Sequence, residues 1–103
     1  MAIFNTIYRA TGTTYYARFV ARISGNTWND TTKVVEAGPS WANSVVTMTE
    51  VPDTGQFPIQ IPALLPKGYN YDVTLYLQAG AVPVNTDAID STDILKLGSI
   101  FGF

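Results

Sequence analysis

The dominant pattern along the chain has a period of two. In residues 15–23 the positions Tyr15, Ala17, Phe19, Ala21 and Ile23 alternate with Tyr16, Arg18, Val20 and Arg22. A half-buried strand requires this alternation, because successive side chains point to opposite faces. The odd positions are therefore expected in the core, with Arg18 and Arg22 in water. The same parity returns in residues 70–78, where Tyr71, Val73, Leu75 and Leu77 alternate with Asp72, Thr74, Tyr76 and Gln78. These two segments are the predicted central strands, with Phe19, Val73 and Leu75 as core residues.

Weaker strand signals lie around them. Residues 3–9 form a short predicted strand, and Ala10-Thr11-Gly12-Thr13 reads as a hairpin turn into the Tyr15 strand. Residues 45–50 are rich in β-branched side chains. Phe57, Ile59 and Ile61 alternate with Pro58, Gln60 and Pro62, and the prolines, which lack the N–H a ladder needs, assign that segment to a sheet edge. Turn signals fall at 24–26, 29–30, 38–40, 52–55, 66–68 and 80–87. Near 87–95, Asp87 or Ser91 would serve as an N-cap if a helical turn forms; the same residues equally suit a loop followed by a strand. Short strands punctuated this often predict an all-β fold: a small immunoglobulin-like or prealbumin-like antiparallel sandwich, one domain over residues 1–103, with an apolar C-terminal segment at about 95–103.

Composition narrows what such a domain can do. The chain is 47% apolar and only 14% charged, against roughly 25% charged in ordinary soluble domains. Apolar surface left after folding is then expected to be covered by other copies or by a partner. The net charge is −2, and the basic residues are scattered rather than clustered, which argues against nucleic acid as a partner. Cysteine and histidine are both absent. That removes thiolate nucleophiles, Cys/His zinc sites and imidazole bases, so no enzyme activity and no cofactor are expected. Met1-Ala2-Ile3-Phe4-Asn5 lacks the basic and apolar regions of a signal peptide, and no apolar run approaches a membrane-spanning length. Neither export through a signal peptide nor a membrane partner is expected.

The remaining candidates for chemistry have plain alternatives. Asp87, Asp90 and Asp93 could offer oxygen ligands to Ca²⁺, yet their spacing is not that of an EF-hand, and capping or turn roles on a solvated face explain them; no metal site is expected. Trp28 and Trp41, with Tyr15, Tyr16, Tyr69, Tyr71 and Tyr76, could form an aromatic platform for a sugar, or supply core and interface packing. Asn29-Asp30-Thr31 matches a glycosylation pattern that arises often by chance. Lys33, Lys67 and Lys96 lie in turn-like sequence and are expected in solvent rather than activating a serine. The C-terminal residues Ile100, Phe101 and Phe103 are costly to leave in water. They are the candidate subunit or partner contact, the alternative being a last strand on the chain's own sheet.

The run Thr54-Gly55-Gln56-Phe57-Pro58-Ile59, followed by Pro62-Ala63-Leu64-Leu65-Pro66-Lys67-Gly68-Tyr69, resembles a pattern of small phage and prophage virion-associated β-sandwich proteins. In that pattern a Gly-x-Tyr/Phe strand precedes Pro-x-x-Leu-Pro-x-Gly-x-Tyr. Gln78-Ala79-Gly80, then Pro83 and Asp87, continue the likeness, which covers about three quarters of the chain. Phe57 departs from the commoner tyrosine. The resemblance implies a non-enzymatic structural protein of a tailed bacteriophage or prophage, in head decoration or as a neck, tail or fibre adaptor. It would be located in the virion after assembly in the host cytoplasm, with other virion proteins and further copies of itself as partners. The alternative function is a carbohydrate- or surface-binding module that uses the aromatics.

Overall fold

In the computed structural model, which describes residues 3–97, the chain is all-β and forms two antiparallel sheets packed as a sandwich. The strands are β1 (Ile3–Tyr8), β2 (Tyr15–Ala21), β3 (Thr27–Asn29), β4 (Val34–Glu36), β5 (Val46–Thr47), β6 (Gln56–Gln60), β7 (Tyr69–Leu77) and β8 (Ala88–Leu97). β1 and β6 make a two-stranded sheet. The larger sheet runs β4-β3-β2-β7-β8, and β5 shares one edge of β2 with β3.

The two strands with the strongest alternation are neighbours at the centre of the larger sheet. Ala17 lies opposite Leu75, and Phe19 opposite Val73. Because paired residues share a face, one set of side chains builds the core: Phe19, Val73 and Leu75 are at most 3% exposed and pack with Tyr15, Trp28, Phe57, Ile59, Tyr71 and Leu95. Leu65, Pro66 and Tyr71 close this layer. Leu65 is buried, and the hydroxyl of buried Tyr71 donates to the Pro66 carbonyl at 2.6 Å.

Several expectations need correction. The segment after β1 is not a hairpin, since β1 pairs with β6 and β2 with β7. Residues 9–14 instead carry the chain from one sheet to the other. The Glu50 carboxylate sets that path by accepting from the Thr11 hydroxyl, from Gly12 N–H at 3.1 Å and from Gly55 N–H at 2.9 Å. At Gly55 the backbone is left-handed (φ 71°), and a Cβ there would lie 2.4 Å from the Arg9 carbonyl oxygen, so close approach of the two chain segments requires glycine. Alternation also overshoots both central strands. β2 ends at Ala21, where a turn closes through Ala21 N–H to Asn26 and Gly25 N–H to Ala21, and Ile23 stands 96% exposed. Leu77, on the last rung of β7, is 36% exposed, while Tyr76 on the opposite face is buried. Of residues 45–50 only Val46 and Thr47 form a strand, after a short 3-10 turn at Ala42–Ser44. Of the two readings of residues 87–95, the strand is observed: β8 is ten residues long and no helical turn forms there.

Candidate functional site

The three aspartates do not converge. Asp87 is buried rather than solvated, and its carboxylate accepts from Val84 N–H, from Ala79 N–H and, at 2.7 Å, from the Tyr16 hydroxyl. These donors, Val84 N–H foremost and then Tyr16, hold its pKa below the usual carboxylate value. Asp87 thus ties down the loop between β7 and β8. Asp90 is the extra residue of a bulge: Leu75 and Tyr76 are consecutive, but their partners are Ser91 and Ile89. A bulge re-aims the inserted side chain, and here Asp90 receives both Nε and Nη2 of Arg9 at 2.8 Å, a two-pronged ion pair between β8 and the end of β1. Asp93 bonds its neighbour, accepting from Ile94 N–H at 2.8 Å. Among the described residues no three acidic side chains gather into a metal-binding group.

The aromatics are largely consumed in packing. Trp28 has no exposed surface, and its indole N–H donates to Asp30. On the outer face of the larger sheet, Tyr16 and Tyr76 stack across β2 and β7 with centroids 5.1 Å apart, and Trp41 meets Tyr76 edge-on. Trp41 donates to the Tyr16 hydroxyl at 3.0 Å, which in turn donates to Asp87. Burial first, and then the Asp87 carboxylate, push the Tyr16 pKa up to about 12. Arg18, expected in water, lies over the Trp41 ring at 3.9 Å and donates from Nε to Ser44 Oγ. A guanidinium gains more from an aromatic face and a hydroxyl than alternation alone can reveal. This cluster clamps the 38–44 loop onto the sheet. Tyr8 and Tyr69 remain exposed, but on different sheets. The Asn29 side chain of the glycosylation-like triplet is buried and bonded to Glu36 and to the Thr31 and Thr32 amides.

No buried side-chain nitrogen or oxygen among the described residues lacks a hydrogen-bond partner. What the fold leaves unused is backbone at the sheet edges and apolar surface. Exposed edges template unwanted pairing, and folds commonly blunt them. In β6, the Gln56 carbonyl accepts from Val51 N–H on the side away from β1, so by alternation Pro58 also turns outward, where it offers no N–H. On the outward side of β1, the Asn5 side chain takes Thr6 N–H and Arg9 Nη1 covers the Tyr8 carbonyl, both at 2.8 Å. β4 is three residues long.

β8 is different. Its Leu97 carbonyl accepts from Gly68 N–H, on the β7 side. By alternation Ser91, Asp93 and Leu95 also turn to β7, while Thr92, Ile94 and Lys96 direct their backbone groups outward. No described strand pairs with that side. Ile94 is 40% exposed, Ile89 63% and, in the preceding loop, Val82 61%. Sequence reasoning did not single out this edge. A signal existed in the ten residues without proline after Pro83 and Asp87, with Thr92, Ile94 and Lys96 on one parity. The residues that were singled out for contact, Ile100, Phe101 and Phe103, follow β8 in the chain and lie outside the described residues.

No protein-family model matches the chain, and comparison with curated proteins and with solved structures finds no significant match. No helix among the described residues is long and apolar enough to cross a membrane.

Proposed function

We propose that this chain is a non-enzymatic structural protein of a tailed bacteriophage or prophage particle, acting through protein–protein contacts in head decoration or as a neck, tail or fibre adaptor. The observation that carries the contact-forming part is the β8 edge, which no described strand pairs, with exposed Ile89 and Ile94 on that strand. Exposed apolar surface beside unpaired backbone is what a partner covers with gain, from the hydrophobic effect and from main-chain hydrogen bonds together. The Tyr16, Trp41, Arg18 and Asp87 groups contribute to a rigid scaffold, because they are bonded to one another rather than turned to a ligand. The assignment to a virus particle rests on the resemblance in residues 54–76. Two of its elements have a mechanical role here, with Gly55 and Gly68 supplying left-handed turns (φ 71° and 89°) ahead of β6 and β7. Ile100, Phe101 and Phe103, which follow β8 in the chain, belong to the proposed contact.

The test is compositional. Particles purified from an induced lysate of the strain that carries the gene are expected to contain the chain at a fixed stoichiometry, by quantitative mass spectrometry. Its absence from particles whose other proteins are all detected overturns the virion assignment.

A further inference from the structure

We infer that a cleft at the Tyr69 end of the sandwich is filled by the chain's own C-terminal segment, with Phe101 and Phe103 covering the part of the core that the described strands leave open. The inference goes beyond the contact-forming reading, because it concerns where this segment lies in a single free chain.

The inner face of the larger sheet outruns its cover at this end. Tyr69 and Tyr71 share that face on β7, yet Tyr71 is 1% exposed and Tyr69 53%. Beside Tyr69 opens a cleft of about 350 Å³, walled by Ala21, Val35, Pro66 and Tyr71 and by the turn after β2. That volume falls within the ~300–1,000 Å³ of clefts that hold organic ligands. A smaller hollow of about 100 Å³ adjoins it across Tyr69, next to Ile23. The walls offer an occupant mostly carbon, because the Tyr71 hydroxyl is engaged by the Pro66 carbonyl and Ser24 Oγ accepts from Asn26 N–H. Such a cleft selects apolar side chains, and the hydrophobic effect is the gain from filling it.

The occupant is identified by where β8 stops. Leu97 pairs with Tyr69, and its carbonyl takes Gly68 N–H, so the strand ends at the rim of the cleft. The ladder has no next rung on the β7 side: Gly68 is left-handed (φ 89°), and the donor due two residues earlier is Pro66, which has no N–H. Ile100, Phe101 and Phe103 come after that last rung and need cover from something other than β7. Reach is sufficient. Strands lie ~4.8 Å apart, which places Ala21 on β2 about 10 Å from β8, while the chain from Leu97 to Phe101 can span up to ~13 Å. A tether this short holds the segment at about millimolar effective concentration, so at micromolar protein it outcompetes the same segment of a second copy. A partner that takes up Ile100, Phe101 and Phe103 must first draw them out of the cleft.

Full-length protein with labelled methyl and phenylalanine groups tests this by NMR. The expected result is a set of nuclear Overhauser effects from the Phe101 and Phe103 rings to the Ala21 and Val35 methyl groups, retained when the labelled chain is diluted into unlabelled protein. The double variant Phe101→Ser, Phe103→Ser should lose them, shift both methyl resonances and melt roughly 5–15 °C lower, with its mass in sedimentation unchanged. Should that variant not fold, Tyr69→Ala at the exposed rim should weaken the same effects. A wild-type chain whose tail rings show none of these effects overturns the inference. So do effects that vanish on dilution into unlabelled protein, which put the tail in a second copy, and so does a folded double variant with unmoved methyl resonances and melting. The particle composition decides the virion reading separately, so either can fail alone.

Discussion

Leu75 and Leu77 share one parity on β7, and alternation alone predicts the same burial for both. The structure separates them: Leu75 is 3% exposed and belongs to the core cluster, whereas Leu77 is 36% exposed and does not. Truncating Leu75 to alanine removes three buried carbons, at about 0.8 kcal/mol each, or ~2.4 kcal/mol in transfer alone. Leu75 shares a close-packed core cluster with Ala17, Phe19, Val73 and Phe57 that relaxes only in part, so the residual cavity should bring the loss to about 3–4 kcal/mol, inside the usual range for such a change. Leu77→Ala, already wet on one side, should cost under ~1 kcal/mol. Urea unfolding followed by tryptophan fluorescence is the assay, since the Trp28 indole passes from full burial to water. In a domain of this size the Leu75 variant should also melt roughly 12–25 °C lower. A Leu75→Ala loss below about 0.5 kcal/mol, or equal losses at the two sites, would refute the register between β2 and β7, because a one-residue slip exposes the whole set.

Gly55→Ala should destabilise by at least ~2 kcal/mol in the same assay, since the residue is left-handed and its new Cβ would meet the Arg9 backbone; a neutral substitution would show that the crossing is looser than described. Tyr16 and Tyr71 are raised to about 12, chiefly by burial, so absorbance titration should find two of the six tyrosines ionising late. A raised tyrosine pKa contributes stability that is complete below the unfolded value of 10.0 and is lost as pH climbs toward 12. Six tyrosines titrating together near 10 in folded protein would contradict this. Asp87 is shifted the other way, so its contribution is present above the unfolded value of 3.8 and lost as pH falls below it. Asp87→Asn should therefore flatten the acid limb of a stability-against-pH curve, and an unchanged limb would place acid sensitivity elsewhere. Arg9→Ala should cost about 1 kcal/mol, a modest figure because the guanidinium is a third exposed, and loss of binding to Asp90 should show in a double-mutant cycle with Asp90→Ala.

The sequence by itself determined the class of fold and its centre. Period-two runs around Phe19 and Val73, each bounded by glycine- and asparagine-rich turns, leave little choice but two adjacent half-buried strands, since any helix would scatter those side chains around its surface. Pro58 likewise marks its strand as an edge from one missing N–H, whatever the rest of the fold. Tertiary structure alone decided which sheet each short strand joins. Ala10-Thr11-Gly12-Thr13 has turn chemistry suited to a hairpin or a crossing, and the outcome depends on Glu50, some forty residues away in the chain, reaching that turn. It also decided which polar residues leave the solvent. Arg18 alternates like a surface residue, yet the 38–44 loop folds over it and offers an aromatic face. Asp87 belongs to a turn by composition, but three donors, one from β2 and two from the loop between β7 and β8, bury it. The β8 edge was hidden for the same reason. A strand's unpaired side is a property of its neighbours, and local sequence carries the pattern of faces but not the order of strands in a sheet.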